Sequence, residues 1–195
     1  AISGFGADRT ASIADIAVIY EGRPIEQLVE SEAYVKTASA TAEMYEAINP
    51  LDYSTNPSAP LIAQVSADSE SATDPAVSAF DGKPNTFWHT QWRDKVPVVP
   101  HELTIELKKS RNIRGLRYLP RQDRDNGRIE DYEIQLSSDG KTYRTVKSGK
   151  FANNSNRQEA MFAAPVSAMY VRLKALSEVN GQNYISVAEI ELVEE

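Results

Sequence analysis

The clearest pattern in the chain is an alternation of apolar and polar residues with a period of two, which begins after residue 100. It is strongest in residues 101–107, and it recurs in residues 132–136 and 171–175. Because successive side chains of a strand point to opposite faces, this alternation predicts half-buried antiparallel strands. The pair Asp139 and Gly140, which lies between two such stretches, predicts a tight hairpin.

The fold class follows from these short strands and from the turn residues between them. No long stretch carries a convincing helical pattern, so we predict an all-β protein, an antiparallel β-sandwich of the jelly-roll type with an N-terminal extension. In the last strand, Val187 and Ile190 are three residues apart where alternation requires an even spacing. We therefore expect a bulge near Ala188 and Glu189 that restores the register and re-aims one side chain.

The first 60 residues lack the period-two alternation of the later part of the chain. Residues 49–60 hold three prolines and no apolar periodicity, which predicts either an extended linker or a packed loop. Apolar positions from Ile25 to Ile48 only partly suit a helical face. We predict a mixed segment with a Pro-rich linker over residues 23–60, followed by the β-sandwich over residues 61–195.

One internal repeat bears on the organisation of the chain. Residues 12–19 match residues 186–193 position for position. Two short apolar strands can look alike by coincidence. Alternatively, residues 1–22 are the closing strand of a preceding domain of the same kind, and the chain is cut from a longer protein. In either case we predict a strand over Ile13–Ile19 that needs a partner in a sheet.

Composition and charge exclude several classes of protein. Hydrophobic residues make up 41% of the chain and charged residues 25%, which is typical of a soluble globular protein. The net charge of −7 provides no broad positive field, so nucleic acid is not an expected partner. No apolar stretch approaches the roughly 20 residues that span a bilayer, and we expect no membrane partner. The absence of Cys excludes disulfides, thiolate catalysis and Cys-ligated zinc.

The densest chemistry lies in residues 78–92. Asp81-Gly82 followed by Pro84-Asn85 predicts consecutive tight turns, which aim several carbonyl groups at one carboxylate. A hard cation such as Ca²⁺ prefers such an oxygen-rich cage. The alternative is a solvated turn capped by Asp81, and spacing alone favours that alternative.

Five stretches, in order along residues 61–195, carry a resemblance to a known family. They are Asp81–Thr90, Leu119–Gln122, Asp131–Gly140, Tyr170–Leu173 and Ile185–Ile190. Together they resemble the discoidin, or coagulation factor 5/8 type C, family, and within it family 32 carbohydrate-binding modules such as those of bacterial sialidases and galactose oxidase. The resemblance implies an eight-stranded jelly roll.

The resemblance also implies a structural calcium ion. Carried over by position, its cage would use the side chains of Asp81, Thr86 and Glu189. It would add the carbonyl groups of Ser78, Lys83, Thr86 and Ala188. This agrees with the expected bulge, because a residue forced off the pleat can point its carboxylate at an ion.

The same resemblance implies a sugar site in the loops at one end of the sandwich, formed by His89, Trp92, Arg121 and Tyr184. A pyranose has an apolar face and a rim of hydroxyls, so it needs an aromatic plate with fixed donors and acceptors. Trp92 can be the plate. Arg121 presents a fork of donors, and neutral His89 offers one donor and one acceptor, which suits an axial 4-hydroxyl. Further candidates in the neighbouring loops are Asp68, Glu70, Gln122 and Asn126.

Each of these residues also has a purely structural interpretation. His89 can be a satisfied buried histidine, and Arg121 can form an ion pair with Asp123 at a strand end. Trp88 is expected in the core, because a sandwich needs large apolar residues there. His101 follows a proline directly, and we expect it at the surface.

The leading functional interpretation is a non-catalytic module that recognises terminal galactose or N-acetylgalactosamine. It would target a larger glycan-active protein, secreted or on the cell surface of a bacterium, to galactose-type glycans. The alternative is a discoidin-type domain that binds protein or membrane in adhesion. An enzyme is the third possibility, but no G-x-S-x-G, HExxH or P-loop pattern occurs.

Overall fold

The computed structural model divides the chain into two compact units, Ala1–Asp52 and Tyr53–Glu195. It describes residues 56–195, and in the first unit the backbone of β1 (Ile19–Tyr20) and β2 (Arg23–Pro24), which pair antiparallel. The other predictions made for residues 1–55 lie outside the described residues. These are the predicted strand over Ile13–Ile19 apart from Ile19, the partly helical pattern from Ile25 to Ile48, and residues 12–18 of the internal repeat.

The second unit is built almost entirely of antiparallel strands, as predicted. Its strands are β3 (Ile62–Ala67), β4 (Trp88–His89), β5 (His101–Leu119), β6 (Asp131–Ser137), β7 (Arg144–Lys150), β8 (Gln158–Ala175), β9 (Ser186–Val187) and β10 (Glu189–Glu194). The helical elements described are two short 3-10 helices, Ala59–Leu61 and Ala76–Phe80. No helix in the described part of the chain is long and apolar enough to cross a bilayer.

Two long strands organise the main sheet. The sheet runs in the order β10-β5-β8-β6-β7, and β3 pairs with the first half of β5 while β10 pairs with the second half. On β5, Leu103, Ile105 and Leu107 are fully buried and the residues between them are partly exposed. The alternation seen in the sequence is therefore the inner and outer face of this sheet.

A second, two-stranded ladder positions the loops that matter for function. In it, Trp88 lies opposite Val187 and His89 lies opposite Ser186. Trp88 is 1% exposed, which confirms its place in the core. β9 ends at Val187 and β10 begins at Glu189, so the last strand is interrupted at Ala188, where the sequence predicted an irregularity.

The predicted hairpin joins β6 to β7. Gly140 adopts a φ of 70°, and a Cβ there would lie 3.0 Å from the ring of Tyr170, so this turn requires glycine. The backbone N–H groups of Thr142 and Lys141 donate to the carboxylate of Asp139, and they lower its pKa to about 2.

Of the linker or packed loop predicted over residues 49–60, residues 56–58 pack against β10, residues 59–60 begin a 3-10 helix, and the rest lies outside the described residues. Asn56 and Ser58 are buried beside β10. Asn56 Nδ2 donates to the Ile190 carbonyl at 2.7 Å, and the Leu192 N–H donates to Ser58 Oγ at 2.7 Å. Residue 56 therefore lies beside residue 190, and residue 58 beside residue 192.

The expectation that His101 lies at the surface is wrong. Its side chain is fully buried at the start of β5. Nδ1 lies 2.8 Å from Asp68 Oδ2, and Nε2 lies 2.8 Å from the Asn183 carbonyl oxygen. The proline before it does not expose the ring, because the segment that contains Asn183 covers it.

Candidate functional site

An open cleft of about 350 Å³ lies where the loops after β4 and β5 meet the segment before β9. The short β4–β9 ladder and the end of β5 bring these loops together, although they are distant in sequence. The cleft is lined by Asp74, Phe87, His89, Trp92, Arg121, Arg124, Asn126 and Tyr184.

His89 presents an acceptor to this cleft. Its Nδ1 lies 2.7 Å from the Thr90 carbonyl, and a carbonyl can only accept, so Nδ1 carries the proton. In the neutral ring, Nε2 is then a lone-pair acceptor. Burial lowers the pKa of His89 and the Thr90 carbonyl opposes this; the positive charge of Arg121 adds to the lowering, Asp74 opposes it more weakly, and the net shift is downward. The ring is therefore neutral at pH 7.

Aromatic rings form the walls of the cleft. Trp92 is 43% exposed and lines the cleft, and the guanidinium of Arg93 lies 4.3 Å from its ring centre. The ring of Tyr184 lies 5.5 Å from that of His89. Asn126 Nδ2 donates to the Tyr184 hydroxyl at 3.2 Å, so these two side chains are held together.

Arg121 is fixed before any ligand arrives. Its Nε and Nη2 donate to the two carboxylate oxygens of Asp123 at 2.6 and 3.0 Å, and its guanidinium stacks 4.1 Å from the ring centre of Phe87. The ion pair with Asp123, offered as a structural alternative, therefore exists, and Arg121 lines the cleft as well. The guanidinium carries five N–H donors, so the remaining ones are free to bind hydroxyl groups.

Five of the predicted ligand-binding residues surround the cleft, namely His89, Trp92, Arg121, Asn126 and Tyr184. Glu70 and Gln122 are not among the lining residues. Glu70 Oε2 accepts the Ala76 N–H at 2.8 Å, and Gln122 Nε2 donates to the carbonyls of Pro120 and Ser155. Asp68, the remaining candidate, is the partner of His101.

Three lining residues were not anticipated from the sequence: Asp74, Phe87 and Arg124. Asp74 lies between β3 and β4, in the same loop as Glu70, and supplies a carboxylate to the cleft. Its Oδ2 accepts from Thr73 Oγ1 at 2.6 Å and from Ser71 Oγ at 3.0 Å. The loop is pinned to β4, because the His89 N–H donates to the Asp74 carbonyl at 3.0 Å. The cluster of Ser71, Thr73 and Asp74 was the available signal, since short polar side chains of this kind close tight turns.

The residues predicted to hold calcium also form a cluster. Thr86 Oγ1 lies 2.8 Å from both carboxylate oxygens of Asp81 and 2.9 Å from the Lys83 carbonyl oxygen, and the Lys83 N–H donates to Asp81 Oδ1 at 2.9 Å. Glu189 Oε2 accepts from Asn56 at 2.6 Å. Ser78 lies in the 3-10 helix before Asp81, and Ala188 lies at the interruption before Glu189.

These residues fit a cation. Glu189 Oε1 is buried and has no hydrogen-bond partner within the described chain. Burial raises the pKa of Glu189 to about 7, and the neighbouring charge of Asp81 adds to this effect. A Ca²⁺ ion would satisfy the free oxygen and relieve the repulsion between the carboxylates. No group of three or more His, Asp and Glu side chains suited to a metal occurs in residues 56–195, so such a site would depend on the hydroxyl and carbonyl oxygens.

Comparison with known proteins identifies the family. The sequence model of the F5/8 type C domain matches residues 63–190, and the chain belongs to this family, as the resemblance predicted. It is 41% identical over 134 residues to a sialidase from Micromonospora viridifaciens and 42% identical over 130 residues to galactose oxidase from Gibberella zeae. These matches cover 67% and 65% of this chain, but only 21% and 19% of those proteins. The chain thus spans about a fifth of their length.

Solved structures of family 32 carbohydrate-binding modules have the same fold. The module of Clostridium perfringens NanJ, in complex with galactose, is 32% identical with a TM-score of 0.63, and the match covers 71% of this chain and 97% of that one. A second Clostridium perfringens module, CpGH89CBM32-5 in complex with GalNAc-β-1,3-galactose, is 33% identical with a TM-score of 0.65. That match covers 71% of this chain and 99% of the module.

Proposed function

We propose that residues 61–195 are a non-catalytic carbohydrate-binding module that recognises terminal galactose or N-acetylgalactosamine. The observation that carries the proposal is the arrangement of His89, Trp92 and Arg121 around one open cleft. The cleft offers an acceptor at His89 Nε2, free donors at Arg121 and an exposed aromatic face at Trp92. Two relatives of similar fold are described as complexes with galactose and with a GalNAc-containing disaccharide, which supports this choice of sugar.

The chemistry of galactose suits this arrangement. The axial 4-hydroxyl can donate to His89 Nε2 while it accepts from Arg121, and the apolar face of the ring can lie on Trp92. Because the side chains of Arg121 and Tyr184 are already held by Asp123 and Asn126, little side-chain freedom is lost on binding.

The same cleft does not suit glycoside hydrolysis. Most glycosidases need two carboxyl groups about 5–9.5 Å apart on either side of the scissile bond. Among the residues that line the cleft, Asp74 is the one carboxylate. We therefore propose binding alone, and that any catalytic activity belongs to other domains of a larger secreted or cell-surface bacterial protein. Tethering would raise the effective concentration of such a domain at the glycan.

We also propose that Ca²⁺ binds at Asp81, Thr86 and Glu189 as a structural ion. Carbonyl oxygens of Ser78, Lys83, Thr86 and Ala188 would complete its coordination. The free buried oxygen of Glu189 supports this assignment.

Titration calorimetry with monosaccharides tests the galactose proposal. We expect a dissociation constant of about 0.1–1 mM for galactose and N-acetylgalactosamine, or roughly −4 to −5.5 kcal/mol. Glucose, with an equatorial 4-hydroxyl, would point this group away from His89 and Arg121, so it should bind at least about tenfold more weakly. Equal affinities for glucose and galactose would refute the proposed site.

A second candidate function is adhesion to a membrane or to another protein. The observation in its favour is the exposed apolar surface of the segment between β4 and β5, where Val96 is 39% and Val98 69% exposed. Co-sedimentation with anionic and neutral lipid vesicles tests the membrane version, with Val98→Asp as the variant that should abolish binding.

A further inference from the structure

The segment from Glu178 to Tyr184, here called the tyrosine segment, carries one wall of the cleft without belonging to a regular strand. Its backbone meets the rest of the fold through an isolated bridge between Glu178 and Ile129. A loop of this kind keeps one conformation only if its polar groups are satisfied by fixed partners. Two buried ionisable side chains, Glu178 and His101, supply such partners at its two ends.

Glu178 holds the beginning of the segment. Its side chain is 1% exposed, and its carboxylate accepts the N–H groups of Asn180 at 2.6 Å and Gln182 at 3.1 Å. The same carboxylate accepts the Gly127 N–H at 3.0 Å. Gly127 follows Asn126, which donates to the hydroxyl of Tyr184. One carboxylate therefore joins both loops that contribute to this side of the cleft.

The backbone at Gly127 packs so closely on Ser186 that no larger residue fits at position 127. Its φ is 81°, and a Cβ at this position would lie 2.6 Å from the backbone nitrogen of Ser186. The loop of Asn126 and the start of β9 are therefore packed backbone against backbone, and Glu178 closes the third side.

His101 holds the end of the segment. Its Nε2 lies 2.8 Å from the carbonyl oxygen of Asn183, the residue before Tyr184, and its Nδ1 lies 2.8 Å from Asp68 Oδ2. A carbonyl oxygen and an ionised carboxylate both only accept hydrogen bonds. Both contacts are satisfied together when both ring nitrogens carry protons, that is, when His101 is an imidazolium ion.

The electrostatic surroundings agree with that geometry. Burial lowers the pKa of His101, but Asp68 and the Asn183 carbonyl outweigh it, so the pKa is raised above its ordinary value. For the Asp68 carboxyl, burial acts in the opposite direction and raises the pKa. The hydrogen bonds from His101 and from the Glu102 N–H outweigh burial, so the pKa of Asp68 is lowered. On β8, the charged residues facing this end of β5 are Arg172 and Lys174, and both pair with Glu102.

We propose that Glu178 and His101 are positioning residues for glycan binding, which hold the tyrosine segment so that Tyr184 and Asn126 face the sugar. Neither residue lines the cleft, so each acts through the residues it holds. The proposal rests on the proposed sugar-binding function. It also predicts that galactose affinity falls as the pH rises through the pKa of His101. A group whose pKa is raised in the folded protein contributes below that pKa, and its contribution is lost as the pH rises through it.

The first test replaces Glu178 with glutamine, which keeps the volume but presents an amide to backbone N–H groups. We expect Glu178→Gln to weaken galactose binding about tenfold, measured by NMR titration at a temperature where the variant is fully folded. The amides of Asn180 and Gln182 should exchange faster with solvent. The matched control is Glu159→Gln, which alters a half-exposed carboxylate on β8 and should leave affinity unchanged. A folded Glu178→Gln variant with full affinity would overturn the role of Glu178.

The second test is the pH profile of galactose affinity over the interval in which the His101 ring resonances titrate in the same sample; this interval should lie above the ordinary histidine range. We expect the dissociation constant of the unmodified protein to rise about fivefold as His101 loses its proton. His101→Gln should bind more weakly at pH 7 and show no such rise. Asp68→Asn should move the rise to lower pH, because it removes the carboxylate that stabilises the imidazolium. A flat profile in the unmodified protein would overturn the role of His101.

The His101 ring resonances, followed by NMR without sugar, separate this inference from the proposed function. If Tyr184 signals shift with the titration of His101 but no galactose-type sugar binds, the positioning contact exists and the proposed function fails. If sugar binds and the Tyr184 signals do not change as His101 titrates, the proposed function stands and the inference fails.

Discussion

At the scale of the residue, the proposed specificity depends on which nitrogen of His89 carries a proton. The Thr90 carbonyl fixes that proton on Nδ1 and leaves Nε2 as the acceptor. A protonated ring would lose this acceptor and place a second positive charge near Arg121. The residue is therefore useful for sugar binding only in its neutral form.

Galactose affinity should fall when the solution is acidified through the pKa of His89. Because this pKa is lowered, the fall should come below the ordinary histidine range. Calorimetry in matched buffers measures the effect. His89→Gln keeps an acceptor that does not titrate, so this variant should bind galactose weakly at all pH values. If its affinity still falls on acidification, the fall belongs to a group other than His89.

Trp92→Ala should abolish detectable galactose binding without loss of stability. The side chain is 43% exposed, so it contributes little to the core, but it provides the stacking face. Val98→Ala is the control, since Val98 is 69% exposed on the same segment and does not line the cleft. Full affinity in Trp92→Ala would place the sugar elsewhere.

At the scale of the element, the strands could be predicted and the loops only in part. Period-two alternation fixes which side of β5 is buried, and the Asp139–Gly140 pair fixes the hairpin, because both depend on neighbours in sequence. Residues such as His89 and Tyr184 were found through the family resemblance. Glu70 was the candidate in the loop between β3 and β4, but it accepts the Ala76 N–H while Asp74 lines the cleft, and no local pattern reveals these contacts. His101 was misplaced for the same reason.

The loop between β3 and β4 therefore gives a paired prediction. Glu70→Gln should cost about 1 kcal/mol of folding stability, because it weakens the hydrogen bond to the 3-10 helix, and it should leave galactose affinity unchanged. Asp74→Asn should instead weaken galactose binding severalfold. Denaturant unfolding and calorimetry on both variants test this, and a larger loss of affinity in Glu70→Gln than in Asp74→Asn would reverse the assignment.

At the scale of the whole molecule, the proposed calcium ion stabilises the fold by binding only the folded state. In protein shown by elemental analysis to contain calcium, EDTA should lower the melting temperature by several degrees, since 1 kcal/mol corresponds to about 2–4 °C for a protein of this size. Asp81→Asn should melt lower and respond weakly to EDTA. An unchanged melting temperature after verified removal of calcium would refute the structural role.

The contacts of Asn56 and Ser58 with β10 have a mechanical consequence. Residues 56 and 58 lie beside residues 190 and 192, so the two stretches run in the same direction. A pulling force applied between residue 56 and residue 195 would load these contacts in shear, along the strand axis, so several must break at once. Forced unfolding depends on the height of that barrier rather than on equilibrium stability. The seam between residues 56–58 and β10 is therefore placed to resist tension transmitted along the chain if, as proposed, the cleft is bound to a glycan.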